Sequence, residues 1–177
     1  GNLPGHLLAV AQASRSFAAD GSGAGARLEA LALRCEALSA GMDFRGLYDA
    51  KRHLFHIGLR VEENELDASY YDLLASEARL LSFLAIAKGD VPRRHWMALG
   101  RPFLSVGVRP GLKSWSGSMF EYLMPTLVMP EPAGSLLQAA DLAAIGEQQA
   151  FGNVQDLPWG VSGSAYVAQD HSLAFQY

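Results

Sequence analysis

The chain has 177 residues, half of them hydrophobic, which is enough to bury a core as a single domain. Its 14 Lys and Arg against 18 Asp and Glu leave a formal charge of −4 without a basic face, which argues against nucleic acid. One cysteine, Cys35, excludes an internal disulfide framework and fits a reducing compartment; no uninterrupted run reaches the ~18 apolar residues of a membrane span, and the N-terminus lacks the basic, apolar and small-residue order of a signal peptide.

Residues 3 to 18 read as a helix that fades into "DGSGAGA", a glycine-rich linker. From 24 to 40, Leu28, Leu31, Cys35 and Leu38 recur at three and four positions, the spacing of one helix face. The period changes over 43 to 59, where Phe44, Leu47, Tyr48, Leu54, Phe55 and Ile57 surround a polar "DAKR" and predict a β-hairpin. The loop "EENELDAS" then leads into "DASYYDLLASEARLLSFLA", 67 to 85, predicted as one long helix with Asp67 or Ser69 accepting its first N–H groups. On that helix Glu77 shares an apolar stripe with Tyr70, Leu73, Leu74, Leu80, Leu81 and Leu84, while Ser69, Asp72, Ser76 and Arg79 fall opposite.

"KGDVP" ends the helix, and "HWMALGRPFLSVGVRPG" is irregular with some strand character. In "SWSGSMFEYLMPTLVM", 114 to 129, Ser116 or Ser118 can cap a short helix that Pro125 should kink or stop. "GSLLQAADLAAIGEQQAFG", 134 to 152, reads as a helix with Ser135 and Gln138 as a capping pair and Gly152 as its stop. The rest is loop-like up to Ser164. The expected class is all-α with one short β-hairpin, divided into an N-terminal helix and linker at 1–23 and a helical domain at 24–177.

A carboxylate turned toward a core loses its hydration and has to be paired, neutralised or put to use. Glu77 is one such group, and Glu121, the only charge between Lys113 and Glu131, is a second. Each has a structural alternative: Glu77 can reach an Arg or a backbone N–H, and Glu121 can favour the start of a short helix. Two carboxylates in apolar or aromatic settings are what glycoside chemistry uses, one as acid and the other as base or nucleophile. Trp115, Tyr122, Trp159 and Tyr166 suit the apolar faces of sugar rings, with core packing as the alternative. Asp67 and Tyr70 join them as substrate-binding candidates.

No metal site is expected, because the five histidines show no ligand spacing; His53 and His56 point to opposite sides of a predicted strand. "GSGAG" lacks the strand and the closing Lys of a phosphate loop, no nucleophile-elbow pattern is present, and Cys35 lies on an apolar stripe.

The run "MDFRGLYDAKRHLFHIGLRVEENELDASYYDLLASEARLLSFLAIAKGDVPRRHWMALGRP", 42 to 102, resembles the glycoamylase-like region of cyclic β-1,2-glucan synthases. "SWSGSMFEYLMP" at 114 to 125 and "PWGVSGSAYVAQD" at 158 to 170 continue the likeness. The resemblance implies an all-helical (α/α)6 toroid whose central cleft closes linear β-1,2-glucan into rings by retaining transglycosylation. It also implies a nucleophile within "DLLASEARL", at Glu77. The family's acid/base glutamate belongs to a segment W-G-I-S-E-S-A-Y; this chain reads "WGVSGSAY", with Gly163 in that place, and Val167 and Gln169 stand where Asn and Arg are expected.

A whole toroid takes roughly 300 residues, so only part of one is expected here, and exposed inner helix faces would favour self-association into a homo-oligomer. The combined reading is a truncated or degenerate glycoamylase-like domain, inactive alone. Its partner would be β-1,2-glucan or a related glucose polymer, with no cofactor, nucleic acid or membrane span. The alternatives are an active half of a transglycosylase or hydrolase completed by another chain, or a non-catalytic carbohydrate-binding domain. The expected location is the cytoplasm, or the inner face of the bacterial inner membrane as part of a larger synthase.

Overall fold

The computed structural model describes residues 3–21, 23–76, 78–106, 109–162 and 171. The chain forms two compact units, residues 1–100 and 101–177. Among the described residues there are six helices and three small antiparallel two-stranded sheets, with no closed barrel.

In the first unit, helices α1 (Leu3–Ala19) and α2 (Gly25–Gly41) match the predicted pair and form an antiparallel hairpin. They meet through small side chains: Gly5, Ala11 and Ser14 of α1 face Ala32, Cys35 and Ser39 of α2. The Ser39 hydroxyl donates to the Pro4 carbonyl at 3.2 Å, and Arg15 reaches Glu36 at 2.7 Å and Glu29 at 3.3 Å. Close approach of small residues sets the buried face. Leu31 and Leu38, expected inside, are therefore pushed to an exposed flank, and only Cys35 of the predicted stripe is fully buried.

The predicted hairpin is present as β1 (Tyr48–Asp49) paired with β2 (Leu54–Phe55). A second ladder, β3 (Leu59–Arg60) with β4 (Glu65–Leu66), follows it, so the single expected hairpin is one of several. The long helix expected over 67 to 85 is a correction. Asp67 Oδ1 accepts the Ser69 N–H at 2.8 Å, closing a local turn; Tyr70 forms an isolated bridge with His56; and Ser76 has φ 49°. Helix α3 spans Ala78–Ala87 alone. A short polar side chain that bonds its own backbone offers the chain an alternative to helix, and here that alternative prevails. Ala78, Arg79, Leu80, Leu81 and Ser82 are all buried, so the first turns of α3 have no polar side; Arg79, expected to face water, is 1% exposed. The core of this unit joins Phe55, Leu81, Ala85 and Val91 with Phe44, Leu47 and Tyr48 packed against them. The short α4 (Arg94–Ala98) inserts His95.

In the second unit, β5 (Phe103–Val106) pairs with β6 (Arg109–Leu112), two ordered strands in the stretch read as irregular with some strand character. Helix α5 (Met119–Leu123) tightens into a 3-10 turn at Met124–Leu127, as Pro125 requires. Helix α6 (Leu136–Gln155) opens with the predicted pair: Ser135 Oγ accepts the Gln138 N–H, and Gln138 Oε1 accepts the Gly134 N–H at 2.7 Å, a cap worth about 1 kcal/mol. The helix does not stop at Gly152. It runs to Gln155, and Asp156 in the left-handed region (φ 54°) ends it. No helix among the described residues is long and apolar enough to cross a membrane.

Candidate functional site

Two groups of residues carry the candidates, one in each unit. In the first, the Tyr70 hydroxyl donates to Asp49 Oδ2 at 2.8 Å, and Asp49 Oδ1 accepts the Lys51 and Arg52 N–H groups. These donors, Tyr70 foremost, hold the Asp49 carboxyl below its ordinary range, and the same bond pushes the Tyr70 phenol up. The His56 ring lies 4.6 Å from the Tyr70 ring, and the Arg52 guanidinium sits 5.1 Å from the centre of that ring. His56 Nδ1 is 2.5 Å from the Asp67 carbonyl; a carbonyl can only accept, so Nδ1 carries the hydrogen. Asp67 and Tyr70, candidates from the sequence, are thus joined through His56. Asp49, Arg52 and His56 were not foreseen as site residues, although the polar turn between two apolar runs marks where Asp49 and Arg52 fall; His56 follows the second run. Glu77 lies outside the described residues.

In the second unit Glu121, 5% exposed, accepts the Ser116 N–H at 2.9 Å and the Ser116 hydroxyl at 2.7 Å through Oε2. Tyr122 is also buried: its hydroxyl donates to the Leu112 carbonyl at 2.7 Å and accepts the Ser114 N–H at 3.2 Å. Together they fasten the serine-rich loop ahead of α5 to that helix and to β6. Replacing Glu121 with alanine removes both bonds and leaves the exposed Ser116 donors to water, so it is expected to cost about 1–2 kcal/mol, read as a lower urea midpoint at unchanged slope.

Trp115 and Trp159 are about half exposed, at 47% and 48%. Trp159 belongs to the segment that resembles the family motif, and that segment is anchored on both sides. The Met119 N–H donates to the Val161 carbonyl at 3.0 Å, the Phe120 N–H to the Ser162 hydroxyl at 3.2 Å, and the Val161 N–H to Gln148 Oε1 at 2.8 Å. Gly163, Tyr166, Val167 and Gln169 lie outside the described residues. Among the described residues no group of three or more His, Cys, Asp or Glu could hold a metal ion.

No family model matches the chain. A curated cyclic β-(1,2)-glucan synthase, NdvB of Rhizobium meliloti (strain 1021), is 51% identical to it over 151 residues, 85% of this chain. The chain is related to one region of a cyclic β-(1,2)-glucan synthase. It spans 5% of the length of that synthase. The aligned 151 residues outnumber either unit, so the relation to the synthase extends into both.

Proposed function

We propose that this chain is a glycoamylase-like segment of the cyclic β-1,2-glucan synthase type, part of an (α/α)6 toroid, which binds β-1,2-linked glucose chains and does not cleave or rejoin them alone. The observation that carries the reading is the 51% identity over 85% of the chain to a synthase of that name. Half-exposed Trp115 and Trp159 supply flat apolar surfaces suited to pyranose rings. In this reading Glu77 is the nucleophile at the anomeric carbon, and residue 163 is the place of the general acid/base. A glycine there has no proton to give, and loss of a general acid/base forfeits a factor of ~10²–10⁴. Glu121 supports the site by holding the loop that displays Trp115.

The test is to mix the chain with linear β-1,2-glucan, measuring binding by calorimetry and products by chromatography. Binding without ring closure or shortening is the expected result. No binding would sink the proposal, and ring closure by the chain alone would refute its inactivity.

A second reading, an active half completed by another copy, is favoured by one observation. Leu3, Val10 and Phe17 are exposed and recur every seven residues along one flank of α1, and Leu31 and Leu38 do so on α2. Under it the chain runs as a dimer or larger by light scattering, and a monomer at high concentration would remove that reading.

A further inference from the structure

We propose that the hollow beside the C-terminal half of α6 is a glucosyl-binding subsite, built from the Trp159 indole and the carboxamides of Gln149 and Asn153. The inference rests on the reading that the chain binds β-1,2-glucan, and goes beyond it by naming where a sugar ring sits. The hollow measures about 320 Å³ and is lined by Gln149, Asn153, Leu157, Pro158 and Trp159. That volume falls at the lower end of small-molecule sites. Gln149 and Asn153 are four residues apart on one helix, so their side chains stand side by side. Both are exposed. A carboxamide offers a carbonyl acceptor and two N–H donors, which matches the paired donor and acceptor character of adjacent sugar hydroxyls. The indole and the Leu157–Pro158 edge supply the apolar floor against which the C–H face of a pyranose packs.

The backbone holds this wall in place before any sugar arrives. The N–H groups of Asp156 and Leu157 both reach the Gly152 carbonyl, the latter at 2.9 Å, and turn the chain back along α6. Gly152 is what lets it come so close. A Cβ at that position would lie 2.7 Å from the Leu157 carbonyl oxygen and 3.4 Å from the Trp159 Cα. Beyond Trp159, Gly160 has φ 99°, and Val161 is clamped by Gln148. A platform fixed at both ends loses little freedom on binding, which favours affinity.

The experiment titrates the full chain and its variants with linear β-1,2-gluco-oligosaccharides, reading affinity by calorimetry. Trp159→Ala is expected to weaken binding ~10-fold or more, and Gln149→Ala and Asn153→Ala ~3- to 10-fold each, the usual worth of a lost hydrogen bond. Gly152→Ala is expected to weaken binding ~10-fold with helical circular dichroism retained, because the added methyl displaces the Trp159 turn. Gln149 and Asn153 lie on the surface, so their variants fold whatever the fate of the others. Glucan bound with unchanged affinity by all three side-chain variants would overturn the subsite and leave the proposed function standing. No glucan bound by the unsubstituted chain would overturn both.

Discussion

Replacing His95 with alanine is expected to lower folding stability by about 3–5 kcal/mol, a large share of the 5–15 kcal/mol typical of a domain. The imidazole is wholly buried at 0% exposure. Its Nδ1–H donates to the His53 carbonyl at 2.8 Å, and its Nε2 accepts the Ser82 hydroxyl at 2.9 Å, which fixes the neutral tautomer. The ring also meets Phe55 edge-on at 4.6 Å and Tyr48 at 5.8 Å between centres. Alanine would leave a void among these rings and two buried polar groups without partners. Phenylalanine would fill the void and leave the polar groups stranded, so His95→Phe should fall between the two in urea denaturation. Burial pushes the His95 pKa below its ordinary 6.5, the bond to His53 offsetting part of this. The folded state therefore resists protonation that the unfolded chain accepts. Stability supplied by the neutral ring is full above pH 6.5 and declines as pH falls below it toward the lower folded value. The melting temperature of the unsubstituted chain should drop over that interval, and that part of the drop should vanish in His95→Phe.

His95 also illustrates what the sequence alone conceals. It stands in "RRHWMA" between an arginine and a tryptophan, and nothing local says that it fills the gap between a hairpin and a helix. Signals contained within one turn were legible. The α2 spacing, the turn between β1 and β2, the Pro125 break and the Ser135–Gln138 pair each depend on neighbours a few residues away. The failures share a different cause. Tyr70, Leu73 and Leu74 keep a helical spacing, yet the Asp67–Ser69 turn and the bridge to His56 place them on non-helical chain, where Leu73 and Leu74 are buried anyway. Spacing records that residues are buried, not by which geometry. With α3 beginning at Ala78, the stripe that was to aim Glu77 inward loses its basis over 67 to 76, and the nucleophile assignment stands on the resemblance. The same limit hid the candidate sites. Asp49 and His56 acquire their neighbour Tyr70 only when segments apart in sequence meet.

Gly163→Glu is the substitution with the largest expected effect on activity: a gain of ~10²–10⁴-fold over the background conversion of linear β-1,2-glucan, the factor that a general acid/base supplies. Retaining chemistry splits into two steps, with one carboxylate attacking the anomeric carbon while a carboxylic acid protonates the departing oxygen. The first role falls to Glu77 in the proposed reading and is present; the second has no side chain at residue 163. The chain just before that residue is well placed to accept a repair. Val161 is bonded to Met119 and Gln148, and Ser162 to Phe120, so the approach to residue 163 is held at fixed register against α5 and α6. Glu77→Gln in the Gly163→Glu background should then return the rate to its starting level. Azide offers a separate check without any new carboxyl, given an activated substrate such as a dinitrophenyl β-glucoside whose leaving group departs unprotonated: Glu77 then forms the glycosyl-enzyme, and azide attacks it and releases a glycosyl azide where water is not activated. A Gly163→Glu chain that binds glucan yet turns over none, with no azide product from the unsubstituted chain, would show that the deficit does not reside at residue 163. Val167 and Gln169, which also depart from the expected pattern, would then be the next positions to restore.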